Sequence, residues 1–158
     1  MDVGDGSERL ATAEFVSSCL RGYALAAAPQ PVLIDSRPIL VVEDDENSRL
    51  MMVTLLDLKG YSVVTAANGA EALRVARQQL PCLILLDLIM PVMDGVEFRA
   101  AQLADAALSS IPVVCVSGRY NAADMAREIG AVALLEKPIA VDALLDTVRQ
   151  HFPAPATN

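Results

Sequence analysis

The sequence predicts an α/β fold: a doubly wound, five-stranded parallel sheet with helices on both faces. Three observations predict it. Short apolar runs alternate with segments of helical spacing, five times over, between Pro38 and Phe152. The runs are apolar without interruption, as strands buried on both faces are. Right-handed crossovers between such units then place helices on both sides of the sheet.

The first strand is Ile39 to Val42, an apolar run that ends in acids. The first helix spans Ser48 to Lys59, with Leu50, Met51, Thr54, Leu55 and Leu58 at helical spacing. Gly60 is placed to stop it. Tyr61 to Ala66 is a β-branched second strand, Gly69 to Leu80 a second helix and Leu83 to Leu86 a third strand. A third helix runs from Gly95 to about Ala107, capped by Asp94. Ile111 to Val116 is the fourth strand, and Ala122 to Ile129 a short fourth helix with Met125 and Ile129 turned inward. Ala131 to Leu135 is the fifth strand. Val141 to Phe152 is the last helix, with Leu144, Leu145 and Val148 on its apolar face and His151 in its last turn.

Ahead of these units, residues 1–37 divide into a helix-like stretch from Ser7 to Ala28 and a Pro-rich linker. Residues 38–152 carry the fold, and 153–158 are a polar tail. A composition that is 54% apolar lets a single domain build its core without staples. No apolar run reaches the length of a membrane span, and the acidic N-terminus lacks the features of a secretory signal. A net charge of -8 argues against a nucleic-acid partner. Cys19, Cys82 and Cys115 have no metal-ligand spacing. Cys82 and Cys115 read as small core residues, and the expected compartment is reducing cytoplasm.

The chemistry lies at the strand ends. In open α/β sheets the site forms outside the carboxyl ends of the strands. There the sequence places Glu43, Asp44 and Asp45 after strand one, Asp87 after strand three, Ser117 and Gly118 after strand four, and Glu136, Lys137 and Pro138 after strand five. Singly, each has a plain structural reading: a helix cap, a solvated turn, a surface charge. Together, clustered carboxylates repel unless a cation or a lysine compensates them. Oxygen ligands on one rim suit Mg²⁺, and a carboxylate beside that metal can attack phosphorus.

The motifs ILVVEDD (39–45), LLDLIMPVMDG (85–95), VVCVSG (113–118) and EKP (136–138) stand in order at matching strand ends. With them, Arg37 to Phe152 resembles the receiver domain of two-component response regulators. The resemblance implies a flavodoxin-like fold with strand order 2-1-3-4-5. It implies that Asp87 is the phosphorylated residue and that Glu43 and Asp44, with Asp87 and the backbone carbonyl of Ile89, hold Mg²⁺. Asp45 falls outside that set. Ser117 resembles the hydroxyl that bonds the phosphoryl group, and Lys137 the lysine that pairs with the phosphorylated aspartate. The resemblance also implies a cis Lys137–Pro138 bond, and shaping roles for Pro91 and Gly95. Three positions depart from or tune the pattern. Leu134 stands where the family often has a switching aromatic, so a leucine or loop shift must couple the site to its output. Ile89 and Arg119 flank the site. An apolar Ile89 positions attacking water poorly, so slow to moderate loss of phosphate is expected.

The leading expectation is a phospho-acceptor switch rather than an enzyme. Its partners would be a histidine kinase or phosphotransfer protein and an output partner, with no membrane or nucleic acid, and homodimerisation through helices four and five is one candidate output. A receiver-like interaction module that takes no phosphate is the alternative. A phosphatase with an aspartyl-phosphate intermediate would want a second acid two places after the nucleophile, where Ile89 stands. A nucleotide site would want glycines after strand one, where there are acids.

Overall fold

The computed structural model describes residues 36–153, so the expected N-terminal helix and the end of the tail lie outside the described residues. Five strands and five helices alternate: β1 (Ile39–Val42), α1 (Glu46–Leu58), β2 (Val63–Ala66), α2 (Gly69–Gln79), β3 (Leu83–Asp87), α3 (Gly95–Ala104), β4 (Val113–Ser117), α4 (Ala122–Glu128), β5 (Ala133–Glu136) and α5 (Val141–His151). The strands pair in parallel in the order β2-β1-β3-β4-β5. The expected fold class is the observed one.

Side chains of a strand alternate between faces, and the core divides accordingly. Leu40, Val42, Ile84, Leu86, Val113 and Cys115 face one layer, where they meet Ala72 of α2, Phe98 of α3 and Ala126 of α4. Ile39, Val41, Leu83, Leu85, Val114 and Val116 face the other, against Met52 and Leu56 of α1 and Leu144 and Val148 of α5. The central strands are apolar at every core position because neither face sees water. Cys82 and Cys115 are buried, as expected of small core residues.

Several local readings are corrected. α1 begins two residues before the expected Ser48, because the Asp45 side chain accepts from the Ser48 amide and caps the helix. Its buried residues are Met52 and Leu56, flanked by Met51 and Leu55, while Leu50 and Leu58 are 62% and 77% exposed. The stretch LMMVTLLDL is apolar around most of its circumference, so spacing alone does not choose a face. At its end Gly60 takes φ 84°, the left-handed closure expected there.

α3 stops at Ala104 rather than near Ala107. One oxygen of Asp105 accepts from the Ala107 amide and the other from Arg77, which turns the chain out of the helix. β4 and β5 sit one to two residues later than expected. Pro112 lacks an amide for the ladder, and Gly130 and Ala131 are taken up in closing α4. β2 starts at Val63 because Tyr61 donates its amide back to Leu56 of α1. α2, α4 and α5 each end one residue short of expectation. Among the described residues no helix is long and apolar enough to cross a membrane.

Candidate functional site

Parallel pairing in register brings the carboxyl ends of β1, β3, β4 and β5 to one rim. Glu43 follows β1 directly and is fully buried, whereas Asp44 is exposed. Asp87 corrects an expectation. It is the last residue of β3 rather than the first beyond it, and at 4% exposure it is buried. A buried carboxylate needs partners, and it has them. Its Oδ1 accepts from the Ile89 amide at 3.0 Å, and its Oδ2 accepts from Lys137 Nζ at 3.0 Å.

Lys137 reaches the rim from the turn after β5 and also pairs with Glu43 Oε2 at 2.7 Å. One ammonium thus bridges two carboxylates from strands distant in sequence. Its anchor is the neighbouring strand end: the Lys137 amide donates to the carbonyl of Ser117, and the Lys137–Pro138 bond is cis. Ser117 closes β4, buried to 1% exposure, and its Oγ accepts from the Arg119 amide at 3.3 Å. Arg119 and Ile89 are exposed at the lip, and Leu134 packs in the core layer beneath α4.

The electrostatics follow from burial. Glu43 is pushed above the ordinary carboxylate range by burial first. The hydrogen bond from Lys137 opposes this, and the charge of Asp87 adds to it. For Lys137 burial works against the charged form, but hydrogen bonds to Glu43 and Asp87 outweigh it and its pKa is raised. The Cys115 thiol behind the site is pushed up to about 12 by burial and by Asp87, which leaves it inert.

Carboxylate oxygens of Glu43, Asp44 and Asp87 all lie within 4.8 Å of one another. Three hard anionic oxygens against one lysine are the donor set a magnesium ion suits. The residues therefore fit the metal that the resemblance implies. Asp45 turns away as the α1 cap.

Sequence reasoning missed one support. Arg49 Nη1 donates to the carbonyl of Glu43 at 2.7 Å and of Asp44 at 3.3 Å, which fixes the acidic turn. An arginine one turn into the helix after an acidic pair is the signal that could have found it. The shaping role that the resemblance implies for Gly95 has a steric basis here. A Cβ on Gly95 would meet the Asp87 carbonyl oxygen at 2.6 Å and Leu88 Cα at 2.7 Å, so only glycine lets α3 start this close to the site.

A family model described as the response regulator receiver domain matches residues 39–149. The chain is 32% identical over 118 residues to the polar-differentiation response regulator DivK of Brucella anthropi, covering 73% of this chain and 96% of that protein. It is 30% identical over 116 residues to the sporulation initiation phosphotransferase F of Bacillus subtilis, with coverage of 73% and 93%. Among solved structures it resembles chemotaxis protein CheY4 of Vibrio cholerae, with TM-score 0.67, 31% identity and coverage of 72% and 97%. It also resembles the signal receiver domain of a signal transduction histidine kinase from Syntrophus aciditrophicus, with TM-score 0.69, 27% identity and coverage of 77% and 93%.

Proposed function

Since the chain belongs to the response regulator receiver domain family, we propose that it works as a phospho-acceptor switch centred on Asp87. The observation that carries this reading is the ammonium of Lys137, held between Asp87 and Glu43 with Asp44 close by. The set supplies a nucleophile and a fixed cation, and phosphoryl transfer needs little more than positioning and charge neutralisation. The Bacillus subtilis relative is itself named a phosphotransferase, which supports phosphoryl chemistry here.

In the proposed reaction a carboxylate oxygen of Asp87 attacks the phosphorus of a phosphohistidine on a partner kinase or phosphotransfer protein. The P–O bond forms as the P–N bond breaks, and the imidazole nitrogen keeps the electron pair. A magnesium ion held by Glu43, Asp44, Asp87 and the backbone carbonyl of Ile89 would neutralise charge on the incoming phosphoryl oxygens. Lys137 moves its hydrogen bond from the carboxylate to the phosphoryl group, and the Ser117 hydroxyl turns to donate to it. A cleft of about 350 Å³ lined by Asn47, Ser48, Met51, Lys137, Pro138 and Ile139 adjoins the site on the side of Lys137. The new charge biases a two-state equilibrium of the β4–α4–β5–α5 face, and partner binding or dimerisation there reads it out. In this role the chain is a signalling switch with no substrate to turn over.

Beryllofluoride with Mg²⁺ tests the reading. The amide signals of Asp87, Ser117 and Lys137 are expected to shift together in wild type and to stay in place in Asp87→Ala. Silence in wild type supports an interaction module that takes no phosphate.

A further inference from the structure

Arg99 is buried to 9% exposure in the interior of α3, and no carboxylate among the described residues pairs with it. A buried guanidinium stays charged and is costly unless its donors are met. Here carbonyls meet them. Nε donates to the Ile129 carbonyl at 2.9 Å and Nη2 to the Gly130 carbonyl at 3.3 Å. Nη1 donates to Gln102 Oε1 at 2.6 Å. The Gln102 amide nitrogen donates in turn to the carbonyls of Leu108 and Ile111. The guanidinium therefore sits at the carboxyl end of α4, where the helix dipole favours a cation, and is braced from the chain leading into β4.

That end of α4 is fixed twice. Gly130, at φ 66°, donates its amide to Arg127, and Ala131 donates to Ala126, closing the helix with a left-handed cap. Ala126 and Ile129 also belong to the core cluster, with Met125 packed against it. The other end is held differently. The Asn121 side chain makes no capping bond to the first turn, where only its backbone carbonyl accepts, from the Met125 amide, and its buried Oδ1 meets no hydrogen-bond partner among the described residues. Gly118, Arg119 and Tyr120 before it are exposed, Tyr120 completely. Ala122 is buried but belongs to neither core cluster.

We infer that Arg99 is a positioning residue for the switch: it pins the carboxyl end of α4, so the helix swings from its amino end, the end joined to Ser117. The inference rests on the phospho-acceptor reading of the site. It explains how a shift of Ser117 becomes a directed helix motion with Leu134, rather than an aromatic ring, beneath α4. A buried polar clamp spends stability on a fixed geometry, which is what a pivot needs.

Amide exchange and chemical shifts in the full chain test it, using Arg99→Met and Arg99→Lys. Without ligand, Arg99→Met is expected to speed exchange at Ile129, Gly130 and Ala131 by about ten-fold and leave β3 amides unchanged. Arg99→Lys, which keeps the charge on one donor head, is expected to recover part of that protection. With beryllofluoride and Mg²⁺, wild-type shifts between Ser117 and Ala131 should cluster at residues 117–122 and fade before 128. In Arg99→Met they should run through 131. Unaltered exchange at 129–131 in Arg99→Met overturns the clamp. Equal wild-type shifts at both ends of α4 overturn the pivot. Exchange as expected with no beryllofluoride response anywhere overturns the switch reading and leaves Arg99 a structural brace. If Arg99→Met does not fold, Arg99→Lys and Gln102→Leu are read at the same amides, with intermediate acceleration expected and none contradicting the clamp.

Discussion

Asp87 receives a backbone donor from two residues away and an ammonium from fifty residues away. The family resemblance named the pairing of Lys137 with Asp87, but the Ile89 amide donor was not among the expectations. The order of strand ends placed the acids and the lysine on one rim, while the burial of Asp87 was misjudged. A strand end reads as open in sequence, yet here Lys137 and Ile89 close over it. In the proposed switch, Ile89 is the residue expected to set the lifetime of the phosphoryl group. Its side chain is 47% exposed at the lip and offers water no hydrogen bond. One oriented hydrogen bond is worth about 1 kcal/mol, or about five-fold in rate. Ile89→Asn is therefore expected to shorten the phosphoryl lifetime about five-fold, measured by following loss of the phosphoprotein by intact mass. A wild type that already dephosphorylates fast, and is unmoved by the substitution, contradicts this role for Ile89.

At the level of elements, the sequence was most legible where one pattern had one outcome. The apolar runs of β1, β3 and β4 could be little other than central strands. Asp94, expected to cap α3, does so, and Glu97 completes a capping box with it. The face of α1 was not legible, because nearly every face of that helix is apolar. The end of α3 was not legible either, because Asp105 is held by Arg77 of α2, a partner 28 residues away. That tie has a pH signature. Hydrogen bonds from Arg77 and then from the Ala107 amide hold Asp105 below its ordinary 3.8. The unfolded state takes up its proton first as pH falls, so the stability Asp105 contributes is fully present above 3.8 and is lost as pH drops through its folded value. Urea unfolding of Asp105→Asn should therefore show a deficit against wild type at neutral pH that shrinks in acid below 3.8. A deficit that persists or grows in acid contradicts the tie.

Across the whole molecule, the two core layers make the sheet a rigid frame, and the chemistry is confined to the turns at one rim. Glu43, Asp87, Ser117 and Lys137 hang directly on strand ends, so the frame sets their spacing. The acidic turn is held by Arg49 and the amino end of α4 by little. This division suits a switch: the frame keeps the acceptor ready, and the amino end of α4, without a side-chain cap, is free to answer. Sequence periodicity made the frame visible but not the clamp at Arg99, whose carbonyl partners lie thirty residues on. The central claim is that Asp87 accepts a phosphoryl group with the help of the surrounding acids and Lys137. The most direct measurement is intact mass after incubation with a phosphorylated histidine kinase and Mg²⁺, with peptide mapping of the product. A single added phosphoryl group is expected on the peptide containing Asp87, lost on chelation of Mg²⁺ before the reaction and absent from Asp87→Ala. Transfer that survives in Asp87→Ala, or a wild type that takes no phosphoryl group from any donor kinase, would contradict it.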